Sequence, residues 1–340
     1  MISAFRSLDC IEHPGWGTAR RARLVLAGPL VAISMALWTP AAHAQNFGDW
    51  RPAESVDPQR TGVNTSVNDG CPIEAPDGRR LFFATNRLDE EGTTDLDIWV
   101  AHRTDDEAAP WASAELERLP PPVNTGAAEF CPTPLPGNQL LFVSTRANNC
   151  GGTGNNPDIY YSRSSGERGW MGPVPLNCDV NSPYEEFSPS VVYGFGPPML
   201  FFSSNREEPN IVPTRHKIYV SVWENGDWGE AVKIEDLDFV GASDARPNVR
   251  KSPDGLEIVF DSTREGGTQI FTSTLASIGG AWSTPVALDP SINVGTSQSR
   301  ASISRDGTRL YFGSNAANQG GDSGADIFVS TRSGPGVGKP

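Results

Sequence analysis

Histidine is scarce in this chain: 340 residues hold four, and only His102 and His216 follow residue 44. One ends a β-rich run and the other sits in a long loop, which poorly serves a Ser–His–acid hydrolase or a histidine-ligated zinc or copper centre. No Cys-x-x-Cys spacing occurs, so a four-thiolate zinc site lacks its usual frame. Phosphate-cradling glycine loops and dinucleotide fingerprints are missing too; Gly151-Gly152-Thr153-Gly154 is loop, with no strand-to-helix turn around it. Positive charge is in short supply, with 27 Lys and Arg against 41 Asp and Glu, net −14. Such a balance repels phosphate backbones and anionic membranes, and nucleic acid is excluded as a partner on that ground. The one sustained apolar run, Leu24–Trp38, is too short to span a bilayer.

That run belongs to an expected export segment. Arg20, Arg21 and Arg23 precede it, and Ala42-His43-Ala44 follows with the small-x-small pattern of a processing site. The Arg20-Arg21 pair also invites a twin-arginine reading, which its following residues support less well than ordinary Sec export. Cleavage after Ala44 would send a chain with no membrane span to the periplasm or outside the cell. Residues 1–44 carry four arginines and two acids, so the remainder has 23 basic and 39 acidic residues, a net charge near −16. Cys10 leaves with the segment. Cys71, Cys131, Cys150 and Cys178 remain, an even number in an exported chain, which argues for two disulfides in one of three pairings.

What the chain has in plenty is itself. Leu81–Arg87 returns as Leu141–Arg146, Leu200–Arg206, Ile258–Arg264 and Leu310–Asn315. Each copy is followed by a second β-rich run: Asp97–His102, Asp158–Ser162, Lys217–Val222, Gln269–Thr274 and Asp326–Thr331. A period of about 50–60 residues marks a β-propeller or a similar array. Turn chemistry precedes each second strand, as in Ala75-Pro76-Asp77-Gly78 and Ser252-Pro253-Asp254-Gly255, where Asp and Gly supply the backbone of a tight hairpin. Tryptophans at Trp111, Trp170, Trp228 and Trp282 open the fourth strands and fill the wedge between blades. A fifth, Trp50, stands before the first inner strand, while the last unit ends at Thr331-Arg332 without a fourth strand. The segment Trp50–Val56 can complete that last blade and close the ring, removing an exposed sheet edge. The expectation is one all-β domain over residues 45–334, a five-bladed propeller of four-stranded antiparallel blades, with 335–340 a disordered tail.

These motifs resemble the TolB-like, WD-like β-propeller repeat: Val-Asn, an acidic residue, Ser-Pro-Asp-Gly, Leu-Phe-Phe, Arg, Gly-Gly and Asp-Ile-Tyr. The resemblance spans about Trp50–Arg332 and implies the propeller fold. It departs from TolB itself, for which it would imply a separate N-terminal α/β domain before the blades.

The repeat also aligns candidate site residues. Entry loops carry Asn64, Asn124, Asn181 and Asn293, and the acids Asp69, Glu129, Glu186 and Asp244 follow, with Gln298 in the fifth unit. Two residues on stand Cys71, Cys131, Ser188, Arg246 and Arg300. The acids either line a central funnel that binds a ligand or cap backbone and pair with arginine from a neighbouring blade. Arg246, Gln298 and Arg300 break the repeat and are the better candidates for a specific contact. Arg87, Arg146, Arg206 and Arg264 are expected to clamp to Asp97, Asp158 and Asp326 across a hairpin. Cys71 and Cys131 share a station in adjacent blades, so Cys71–Cys131 and Cys150–Cys178 is the preferred pairing. Loops Asp89–Asp97 and Asn315–Asp326 are oxygen-rich enough for calcium, and no other cofactor is indicated. The leading expectation is a monomeric, non-catalytic propeller binding a protein, peptide or glycan through its loop-rich face. The alternative is a glycoside hydrolase using Asp69, Glu129 and Glu186 as base, tuning acid and general acid.

Overall fold

The computed structural model describes residues 47–88, 92–103, 110–147, 150–151, 156–166, 169–315 and 324–335. The export segment and the last five residues lie outside the described residues, as do parts of both oxygen-rich loops. Among the described residues, no helix is long and apolar enough to cross a membrane.

Five antiparallel sheets form five blades of a β-propeller. The inner strands are Asp69–Glu74, Glu129–Leu135, Glu186–Val192, Asp244–Ser252 and Gln298–Ile303. The second strands, Arg80–Thr85, Gln139–Ser144, Met199–Ser204, Gly255–Ser262 and Arg309–Ser314, are buried almost end to end because blades cover them on both sides. Gly255 shows why the hairpin needs its glycine: at φ +133°, a Cβ there would lie 2.1 Å from the Leu275 carbonyl oxygen.

Closure occurs as expected. Glu54–Ser55 pairs antiparallel with the third strand of blade 5, Glu54 opposite Val329 and Ser55 opposite Phe328. The Arg51 and Val56 amides donate to the Thr331 and Ile327 carbonyls at 2.8 and 3.1 Å. The Arg332 guanidinium lies over the Phe47 and Trp50 rings, 4.0 and 4.2 Å from their centroids.

The tryptophans wedge between neighbours: Trp111 packs with Leu81 and Phe83 of blade 1 and Tyr311 of blade 5, and Trp282 packs with Phe201 of blade 3. Trp111, Trp170 and Trp282 sit just ahead of their outer strands, and only Trp228 lies within one. Both expected disulfides are present, Cys71–Cys131 and Cys150–Cys178, with Cα atoms 4.9 and 5.4 Å apart.

Candidate active site at the upper mouth

The inner strand of every blade is broken by a bulge, and the same station takes up a left-handed backbone each time. Cys71, Cys131, Ser188, Arg246 and Arg300 have φ of 50°, 47°, 53°, 55° and 59°. Positive φ is uncommon outside glycine, and a bulge re-aims the side chain it carries. These five side chains ring the central channel, a constriction of about 30 Å³. Its ring is therefore a disulfide, a serine and two arginines, with no carboxylate.

The repeated acids are elsewhere. Asp69, Glu129, Glu186 and Asp244 are fully buried, each sealed in a latch within its own blade. Glu186 accepts from the Ser182 amide at 2.7 Å, the Ser182 and Ser204 hydroxyls at 2.6 Å each, and Arg206 Nη2 at 3.1 Å. Glu129 repeats the pattern with Thr125, Ser144 and Arg146, and Asp69 and Asp244 hold Arg87 and Arg264 at 2.9 and 2.6 Å. Burial outweighs Arg87 and pushes the Asp69 carboxyl up. The arginines thus pair with the inner-strand acid of the same blade. Neither a neighbouring blade nor the third-strand aspartate provides the partner: Asp97 goes to Arg118 and Asp326 to Arg60.

Blade 5 confirms what the latch is for. Gln298 replaces the acid, and the sequence has Ala316 where the arginine would stand, so both charges vanish together. Gln298 is buried, and its side-chain amide donates to Ser314 Oγ at 3.3 Å. Entry-loop asparagines are equally structural. Asn124 Oδ1 accepts from the Ile98 amide and its Nδ2 donates to the Ile98 and Leu119 carbonyls, stitching blade 2 to blade 1; Asn64, Asn181 and Asn293 act likewise.

Of the seven candidate ligand residues, the channel receives Arg246 and Arg300. Three further groups beside them break the repeat and were not singled out from the sequence. Asp261 stands opposite Ala245, where other blades have Ala84, Val143, Ser203 and Gly313. Its carboxylate accepts from Arg246 Nη1 at 3.0 Å and from the Arg300 amide at 2.9 Å. Glu185 stands one residue before the latch acid, where the others are Asn68, Ala128, Ser243 and Ser297. His216 precedes a third strand, at the station of Leu96, Pro157, Thr268 and Ala325. Glu185 and His216 meet at 2.7 Å, and the His216 ring stands edge-on to Phe187, centroids 4.6 Å apart. The Arg246 guanidinium carbon also lies over the Phe187 ring, 5.3 Å from its centroid. The hydrogen bond from His216 holds the half-exposed Glu185 below the usual glutamate range.

A cleft of about 460 Å³ opens above Arg300 between blades 5 and 1, lined by Gly70, Gly313, Asn68, Asn86 and the exposed Asp95. A larger bowl, about 610 Å³, opens at the opposite end of the channel. The Glu74 carboxylate there is held by Arg309 at 2.8 Å and Tyr311 at 2.6 Å. Among the described residues no group of three His, Cys, Asp or Glu gathers as for a metal.

Burial pushes Asp261 up to about 6 despite two arginines. An unfolded aspartate titrates near 3.8, so between pH about 4 and 6 the folded chain holds the extra proton, and stability falls as pH rises through that window. The Asp261→Asn variant loses this slope. The difference between the two proteins, followed by thermal melts from pH 4 to 6.5, should reach on the order of 2–3 kcal/mol. Parallel curves would contradict it.

No protein-family model and no curated protein matches the sequence. Solved structures do match. An α-L-arabinofuranosidase of Podospora anserina, in complex with cellotriose, overlays with TM-score 0.56 at 16% identity, covering 85% of this chain and 98% of that one. An α-L-arabinofuranosidase of Lactobacillus brevis gives 0.56 at 14%, covering 83% and 97%. An endo-arabinase of Bacteroides thetaiotaomicron gives 0.53 at 14%, covering 82% and 97%. At these identities the likeness is one of fold. It nevertheless corrects the expectation of a non-catalytic binding scaffold, because the propellers this chain overlays are glycosidases.

Proposed function

We propose that this propeller is a carboxylate-based glycosidase that works on a saccharide held over its upper mouth. The observation that carries the reading is the Glu185–His216 pair: a half-exposed carboxylate held below its usual range by an adjacent imidazole, placed where no other blade has an acid. Glu185 is the ionised carboxylate that a base or nucleophile must be. Asp95, exposed on the rim of the cleft above Arg300, is the carboxyl this reading assigns as the second group. Asn68 and Asn86 on the cleft wall offer polar contacts to sugar hydroxyls. The likeness to arabinofuranosidases and an endo-arabinase supports the substrate class. Asp69, Glu129 and Glu186 are set aside as catalytic groups, since a sealed carboxylate with all its acceptor sites filled reaches no substrate.

The test is a screen of purified protein against arabinan, arabinoxylan and pectic oligosaccharides, reading released reducing ends. Turnover that falls about 10²–10⁴-fold in Glu185→Gln and in Asp95→Asn, with unchanged melting, is the expected result. Absence of turnover on every saccharide, or turnover indifferent to both changes, would overturn the reading.

A further inference from the structure

The glycosidase reading leaves the two arginines without a job, and their setting names a feature of the substrate. Arg246 is built in: Asp261 holds Nη1 at 3.0 Å, the Phe187 ring lies 5.3 Å from the guanidinium carbon, and Nε is buried with no hydrogen-bond partner. Arg300 is aimed rather than tied. Its amide sits on Asp261, its φ of 59° turns the side chain toward blade 1, and its guanidinium has no hydrogen-bond partner among the described residues. Space has been kept for it, because a Cβ on Gly70 would stand 3.3 Å from Arg300 Nη1.

Two guanidinium groups share one nearby buried carboxylate, Asp261, which only Arg246 holds through its side chain, so the throat carries an excess positive charge in a chain of net charge −14. The neighbouring acid, Asp69, is already paired with Arg87, and Asp95 lies out on the rim. We propose, resting on the reading above, that Arg246 and Arg300 form a carboxylate subsite, and that the saccharide held over the mouth carries a uronic acid. A guanidinium fork matches a carboxylate with two parallel hydrogen bonds, which a neutral sugar hydroxyl cannot reproduce. The cleft of about 460 Å³ gives the sugar ring room above Arg300. Its carboxylate points inward to the arginines and its hydroxyls outward to Asn68, Asn86 and Asp95.

Calorimetric titration of the purified protein with trigalacturonate, xylotriose and sodium sulfate tests this. Trigalacturonate should bind at least about tenfold tighter than xylotriose, and Arg300→Gln should remove that margin while leaving melting and xylotriose affinity unchanged. Arg300→Lys, which keeps the charge but loses the fork, should keep part of it. Equal affinity for the two trisaccharides, full uronate affinity in Arg300→Gln, or sulfate binding as tightly as trigalacturonate would each overturn the proposal. Uronate binding without cleavage would uphold the subsite and sink the glycosidase reading. Cleavage of neutral saccharides with no uronate preference would do the reverse.

Discussion

A chain beginning at Asp57 should fail to melt cooperatively and should aggregate. Removing residues 47–56 takes away the strand that pairs with Phe328 and Val329, and with it the Phe47 and Trp50 rings under Arg332. The third strand of blade 5 becomes a bare edge, and bare edges recruit other chains. The ring also loses Val56 from the cluster it shares with Leu81, Phe83 and Tyr311, which joins blades 5 and 1. A domain of this kind has a margin of about 5–15 kcal/mol in total, and opening the ring should consume most of it. A synthetic peptide spanning residues 45–60, added during refolding, should restore a single sharp transition by supplying the strand in trans. Circular dichroism melts with and without the peptide read the effect; an unaltered melt of the truncated chain would contradict closure.

Much of this fold was legible in the sequence because the propeller writes each element five times. The Leu-Phe-Phe strands, the Asp-Gly turns and the displaced Trp50 strand together specify blade count and closure. Cys71 and Cys131 could be paired because the repeat placed them at one station in adjacent blades. The site was legible only in part, and the reason is geometric. A bulge at residues 71, 131, 188, 246 and 300 turns that station into the channel, while the acid two residues earlier packs backwards against its own second strand. Strand alternation alone places both on one face, so the acids read as funnel-lining. The latch became recognisable once Gln298 and Ala316 were compared with the other blades, since acid and arginine disappear as a pair. The same comparison at the stations of Ala84, Asn68 and Leu96 would have exposed Asp261, Glu185 and His216. Constants of the repeat hold the ring together. Its exceptions gather at the upper mouth.

Two adjacent glutamates separate these roles. Glu186 is sealed by Ser182, Ser204 and Arg206, whereas Glu185 is half exposed, its amide donating to Asn205 Oδ1 and its carboxylate meeting His216. Glu186→Gln weakens a buried charge pair and should cost about 3 kcal/mol, which lowers Tm by about 6–12 °C in a domain of this size. Glu185→Gln removes no buried partner and should leave Tm within about a degree, since surface changes of this sort stay within ~0.5 kcal/mol. Its effect belongs to turnover, a loss of about 10²–10⁴-fold. Because the His216 hydrogen bond keeps Glu185 ionised below the ordinary glutamate range, the acid limb of kcat/KM should also lie below pH 4.5.

Melting and saccharide hydrolysis, measured side by side on Glu185→Gln and Glu186→Gln, give the most direct test. Lost turnover with intact melting in the first, and lowered melting with turnover retained below the new Tm in the second, is the predicted outcome. The opposite assignment, with Glu186→Gln inactive yet fully stable and Glu185→Gln fully active, would contradict the account.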